Sequence, residues 1–275
     1  MSWHTRLLKC LAILASLWIA AHIPLSAQEA DLRTQIKAAE DAGRQDLALA
    51  QNLAKLAALC QDTGRQSEAE ALYLRAIPLA EQLLGRDHPA LARTLSNLAE
   101  IYSQRREWAR ALPLENRALS IRRGSLSPDH PDIARSLNNL GEIHWGMGDW
   151  STAEWLYLRA ISVLEKSPGP DPTVLQATLS NLGTLSADRH KYGRAESYYR
   201  RALALVGRAD DPQYIRQATL LANLAQLRAM TKEYDEAEEL WRRALEAARS
   251  APQPDQTLIS GLLSGYGEAR PKRKR

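Results

Sequence analysis

The chain has 275 residues, 45% hydrophobic and 25% charged, with no phenylalanine and an apolar complement dominated by alanine and leucine, a composition suited to helices packed closely through small side chains. Its 14 glycines and 13 prolines act as punctuation and exclude a low-complexity polymer. The net charge of +4 is not the mark of a nucleic-acid binder: Arg6 and Lys9 carry two of the charges and residues 272–275 carry four, so residues 28–270 hold a net −2.

In chain order, residues 1–27 are predicted to be a secretory signal peptide. Arg6 and Lys9 precede a nearly unbroken apolar run from Cys10 to Ile23, and "LSA" at 25–27 offers a small residue for cleavage. The run is shorter than the roughly 20 residues that span a bilayer. An uncleaved anchor is the alternative, and Cys10 lies too early for a lipidated cysteine. Cleavage leaves Cys60 as the only thiol, at an apolar helical position that suits a buried structural cysteine. The mature chain is expected to be exported, periplasmic or secreted.

Residues 28–45 are predicted to form an N-terminal capping helix. From 46 to 250 the sequence repeats. Asn97-Leu98-Ala99, Asn139-Leu140-Gly141, Asn181-Leu182-Gly183 and Asn223-Leu224-Ala225 are spaced 42 apart, and one further step back lands on Lys55-Leu56-Ala57. Each of the five copies carries a first helix, as in Leu95, Leu98, Ala99 and Tyr102, followed by a turn with Gly64 and Gly148 at equivalent places. An aromatic then opens most second helices (Trp108, Trp150, Tyr192, Tyr234), in segments such as "AEWLYLRAI" and "AEELWRRAL". Pro89 and Pro131 fall in first turns, where a missing N–H is harmless. Pro78 lies within a second helix and is expected to kink it or fault the stack. Residues 251–270 are predicted to add a C-terminal capping helix, and 271–275 form a basic tail read as a disordered solubilising end.

Glycine inside an apolar helix costs about 0.5–1 kcal/mol, so Gly141 and Gly183 need a reason. Together with Ala57, Ala99 and Ala225 they are predicted to let the second helix of each hairpin approach closely. Ala153, Ala195, Ala237, Ala160, Ala202 and Ala244 are the matching small sites. Leu140, Trp155, Tyr157, Tyr199 and Trp241 are expected to fill the remaining volume.

The recurring pattern of small residue, turn, aromatic and A-E-x-x-Y-x-R-A-L over roughly 46–249 resembles the tetratricopeptide repeat. The 42-residue period with "DHP" loops and "LNNLG" resembles its kinesin-light-chain-type variant, also common in bacterial proteins. The first copy departs from it at Lys55 and Gln66, and the fourth and fifth linkers lack the histidine. The resemblance implies an all-α α-solenoid, a right-handed superhelix whose first helices line a concave groove.

No convergent catalytic cluster can be assembled, and none of HExxH, GxSxG or a phosphate-cradling glycine loop is present. No enzyme activity, cofactor, metal or small-molecule substrate is expected. His88 and His130 read as helix-start residues, His144 as a packing histidine, and His190 as a turn residue. The groove candidates are Arg93, Asn97, Glu100, Arg135, Asn138, Asn139, Glu142, Trp145, Asn181, Thr184, Asn223 and Gln226. The four asparagines at one helical position read either as an amide ladder for an extended peptide, as the family implies, or as bonds to the neighbouring repeat. Lys55, Arg93 and Arg135 could form a positive sector for an acidic segment or a C-terminal carboxylate, or a solvated face; Trp145 is the best aromatic anchor. The pairs Arg105-Arg106, Arg122-Arg123, Arg200-Arg201 and Arg242-Arg243 read as solvated surface. The expected function is a scaffold binding a protein or peptide segment. The alternatives are an envelope-assembly subunit using its convex face or ends, and a nucleic-acid or anionic-surface binder using the tail.

Overall fold

The computed structural model describes residues 25–167, 172–206, 211–251 and 254–269. Among them the chain is all-α, without a strand. Its twelve helices are α1 (Leu25–Asp41), α2 (Leu47–Asp62), α3 (Gln66–Leu84), α4 (Leu91–Gln104), α5 (Trp108–Ser125), α6 (Pro131–Gly146), α7 (Trp150–Lys166), α8 (Pro172–Asp188), α9 (Tyr192–Ala204), α10 (Asp211–Met230), α11 (Tyr234–Ser250) and α12 (Gln256–Ala269). The chain divides into two compact units, one ending at Ile101 and the other beginning at Tyr102, within α4. In the first, α1 packs on α2 and α2 pairs with α3. In the second, α6–α7, α8–α9 and α10–α11 are helix–turn–helix pairs, joined in series by α5 on α6, α7 on α8, α9 on α10 and α11 on α12.

The turn inside each pair has one geometry. Gly64 and Gly148 adopt positive φ, and so do Arg106, His190 and Lys232, at 60°, 57° and 67°. These five positions stand 42 apart. After each, the next N–H returns to the carbonyl five residues back, as in Arg65 to Cys60, Asp149 to His144 and Glu233 to Arg228, at 2.8, 2.9 and 2.8 Å. This left-handed cap satisfies carbonyls that the helix end would leave open. The two glycines alone did not disclose it, because three repeats accept a side chain at a cost of about 1–2 kcal/mol. Lys232→Gly is therefore expected to raise the melting temperature, by relief of about 1 kcal/mol; an unchanged or lower value would show that the turn holds no strain.

Small residues occupy the contact between paired helices. Ala57, Ala99, Gly141, Gly183 and Ala225 are all buried, as are Ala69, Ala111, Ala153, Ala195 and Ala237 on the second helices. What approaches the glycines is a ring rather than a backbone. A Cβ on Gly141 would lie 2.6 Å from Tyr157 Cε1, and one on Gly183 would lie 2.7 Å from Tyr199 Cε1. Trp155 does not fill the core as expected: it is 59% exposed, because it falls on the outer side of α7 beside exposed Leu158. Pro78 does not break α3, which runs through it to Leu84. The ring sits on the exposed side of the helix, so the carbonyl it deprives of a partner, on exposed Leu74, faces water.

Helix starts follow local chemistry. His88 and His130 do act at helix starts: each Nδ1 accepts an N–H two residues on, from Ala90 at 3.2 Å and Asp132 at 3.1 Å. Asp46 and Asp149 cap α2 and α7 through Leu49 and Thr152. At the N-terminal end, Arg65 grips the Glu29 carboxylate of α1 with two bonds of 2.7 Å. Those bonds, with Arg33, hold Glu29 well below the usual carboxylate range, at about 2. At the other end α12 packs through Ile259 and Leu262, and Gly265 leaves room for Trp241. Of the predicted signal peptide, residues 1–24 lie outside the described residues, and Leu25 to Ala27 form the first turn of α1. The basic tail also lies outside them. Among the described residues no helix is long and apolar enough to cross a membrane.

Candidate functional site

In the first unit the candidate residues Arg93, Asn97 and Glu100 follow one another along α4, one turn apart. Lys55 and Asp62 run the same way along α2, so cations stand upstream and acids downstream on both helices. A rise of 1.5 Å per residue puts these two bands about 10 Å apart along the axis. Between α1, α2 and α4 lies an open cavity of about 770 Å3, lined by Asp31 and Leu32 of α1, Lys55, Leu59 and Asp62 of α2, and Arg93 and Asn97 of α4.

Two residues of its lining, Asn97 and Tyr73, begin a relay of hydrogen bonds. Asn97 Nδ2 donates to the Tyr73 hydroxyl at 2.9 Å, Tyr73 donates to Gln61 Oε1 at 3.2 Å, and Gln61 Nε2 donates to Glu100 Oε2 at 3.2 Å. Tyr73 belongs to α3, a second helix, and reaches the first-helix face over Ala57. Its ring is fully buried, and burial pushes its phenol up to about 12, against the hydrogen bond from Asn97.

The second unit repeats the plan with different chemistry. Asn139 Nδ2 donates to Glu115 Oε2 at 3.4 Å, with Glu115 on α5 at the position Tyr73 holds on α3. Asn181 Nδ2 donates to Oδ1 of buried Asn138 at 3.2 Å. Thr184 Oγ1 bonds the Ser180 carbonyl at 3.1 Å and the Tyr199 hydroxyl at 3.0 Å. Trp145 Nε1 donates to Asp188 of the next first helix at 3.2 Å, which fixes the ring at the edge of the face. Arg135, Glu142 and Gln226 are exposed, and Asn223 is half-buried.

Asn97, Asn139 and Asn181 thus each spend a donor on the preceding repeat, and the recurrent asparagine is a stitch between repeats. The stitch leaves each amide oxygen and the second amide hydrogen for another partner. Sequence reasoning named Tyr157, Tyr199 and Trp241 only as core-filling residues and missed Tyr73 and Glu115, which stand in the same 42-residue series on the second helices. The signal was present, since each follows by 16 residues one of the small residues at 57, 99, 141, 183 and 225, and Tyr157 and Tyr199 lie against Gly141 and Gly183. Burial also pushes up the phenols of Tyr157 and Tyr199, and the Tyr157 hydroxyl has no hydrogen-bond partner among the described residues.

Arg122, expected at the surface, is instead 6% exposed. It lies 3.5 Å from fully buried Glu115 and donates to the Ser136 hydroxyl. Burial pushes its guanidinium down, opposed by the Glu115 charge. Cys60 is a buried free thiol, pushed up by desolvation, which makes it a poor nucleophile. His144 is half-buried with Nδ1 3.2 Å from Asp149, and His190 Nδ1 meets the Tyr192 hydroxyl at 2.8 Å. Among the described residues, no group of three or more His, Cys, Asp or Glu side chains is placed to hold a metal ion.

Serial helix–turn–helix pairs with one turn geometry, one small-residue seam and one inter-repeat stitch define a helical repeat protein of the 42-residue class. The chain belongs to the tetratricopeptide repeat family, whose profile matches residues 46–124, 116–166 and 174–250. No curated protein gives a significant match. Solved structures share the fold. BtubC (BKLC) from P. vanneervenii is 23% identical, covering 92% of this chain and 96% of that one, with a TM-score of 0.65. NprR in complex with its cognate peptide NprX is 17% identical, covering 98% and 75%, with a TM-score of 0.68. The nearly identical repeats of a putative kinesin light chain from Podosopora anserina are 18% identical, covering 74% and 97%, with a TM-score of 0.57.

Proposed function

We propose that this chain is an exported, non-catalytic scaffold that binds an extended peptide segment of a partner protein along its first helices. The observation that carries this reading is the cavity of about 770 Å3 in the first unit, open to solvent and lined by Asn97 and Tyr73, the first two members of the Asn97–Tyr73–Gln61–Glu100 relay. An extended segment brings one N–H and one C=O per residue, and amide side chains at regular spacing match that need. The cation band at Lys55 and Arg93 suits an acidic side chain, and the acid band at Asp62 and Glu100 suits a basic one. NprR, a structure of the same fold, was solved with a peptide bound, which supports the reading. Export rests on the residue 1–27 leader, and N-terminal sequencing of the secreted or periplasmic chain should begin at Gln28.

A second reading, an assembly subunit using its outer face, is favoured by the exposure of Trp155, Trp150, Leu158 and Met147. Peptides selected from a random display library against the folded chain separate the two. In the first unit, Asn97→Ala should weaken a peptide selected on that unit's cavity by about tenfold, the worth of one well-placed hydrogen bond. Unchanged affinity in a variant that remains folded by circular dichroism would reject the groove.

A further inference from the structure

Beside the peptide face, on the other side of Lys55 and Arg93, the first unit holds a second cavity, of about 520 Å3. One wall is aliphatic, from Ala54 on α2, Ala76, Ile77, Ala80 and Leu84 on α3, and Leu91 and Pro89 beside α4, and Gln51, Lys55, Arg93 and Thr94 supply a polar wall of nearly equal extent. Lys55 and Arg93 are the only charged residues that line it. Neither carries an ion pair among the described residues.

The first repeat is small where the second and third repeats carry larger side chains. At the position of Ala80 the second repeat has Arg122 and the third has Leu164, and both side chains are buried. At the position of Ala54 the third repeat has Asn138, 9% exposed. Alanine at both 54 and 80, a pairing that only the fifth repeat shares at Ala222 and Ala248, leaves a hollow here with two cations in its lining. A volume of about 300–1,000 Å3, mostly apolar walls and a few convergent polar groups are the general features of a small-ligand pocket.

We propose that this cavity binds an aliphatic monocarboxylate, a medium-chain fatty acid, with the hydrocarbon against Ala54, Ala76, Ala80 and Leu84 and the carboxylate between Lys55 and Arg93. Two unpaired cations select an anion, and the absence of any lining acid removes the competitor for them. A peptide is a poor occupant. Each residue it inserted would bring backbone polar groups, and Gln51 and Thr94 are the only uncharged polar side chains in the lining.

Calorimetric titration with sodium decanoate tests this. The full chain should bind it with a dissociation constant on the order of 100 µM or tighter, and decylamine should not compete. Arg93→Gln should weaken binding by about tenfold, as loss of one charge-assisted hydrogen bond. Ala80→Leu, which installs the third repeat's own residue, should abolish decanoate binding while keeping the melting temperature at or above that of the parent chain. Peptides selected on the Asn97 face should still bind this variant, so the two sites fail separately. Three results would overturn the pocket: no saturable decanoate binding below about 1 mM, binding that survives Ala80→Leu, or tighter binding of Ala-Ala-Leu through its free carboxylate than of decanoate.

Discussion

Replacing Glu115 or Arg122 singly by alanine should destabilise the second unit by about 3–5 kcal/mol, because each change strands a buried charge. Glu115 is fully buried at a position where the other repeats have Tyr73, Tyr157, Tyr199 and Trp241. Arg122 occupies the place of Ala80, Leu164, Val206 and Ala248. The second repeat has thus exchanged an aromatic and an aliphatic residue together for an ion pair, with Ser136 and Asn139 satisfying further lone pairs and protons. Desolvation offsets much of the attraction between such charges, so the pair need not add net stability. The double change Glu115→Tyr with Arg122→Leu, which restores the pattern of the third repeat, is expected to be neutral or stabilising. Urea unfolding of the two single variants and the double variant measures this. If the double variant is as unstable as the singles combined, the pair is not acting as a replacement for packing.

Gly141→Leu should cost about 3 kcal/mol through overpacking. Already a Cβ at this position would lie 2.6 Å from the Tyr157 ring, and a leucine has three more carbons to place in the same gap. Ala57 faces Tyr73 in the first repeat, so Gly141→Ala should be tolerated with a shift of the ring, at about 1 kcal/mol. A melting temperature for Gly141→Leu within about a degree of the parent chain would contradict the contact, since 1 kcal/mol alone moves a domain of this size by about 2–4 °C.

Periodicity disclosed the fold because each repeat writes the same requirement again. The recurrence of Asn97, Asn139, Asn181 and Asn223 placed the first helices, and the alanines at 153, 195 and 237 placed the second. The need for small residues at 141 and 183 was legible too, but its cause was not. Helix spacing and ring insertion both demand glycine, and only coordinates distinguish a backbone from Tyr157. Arg122 and Trp155 were misplaced for opposite reasons. Arginine next to Arg123 looks solvated unless the aligned loss of an aromatic at Glu115 is weighed with it. Tryptophan looks like core unless its register, two residues before Tyr157, is followed onto the outer face. The left-handed turns at Arg106, His190 and Lys232 left no sign in residue type, because the backbone bond that rewards the conformation is indifferent to the side chain. Of the site, the upper layer of asparagines and charges was visible. Of the layer beneath, Tyr157, Tyr199 and Trp241 were legible only as core filling, and Tyr73 and Glu115 were not legible at all.

Hydrogen–deuterium exchange of the chain with and without a display-selected peptide tests the functional reading most directly. The groove reading requires new protection in α2 and α4, at residues 55–62 and 93–100, with little change in α3 and α7. Protection confined to the outer helices around Trp155 and Leu158 would contradict it.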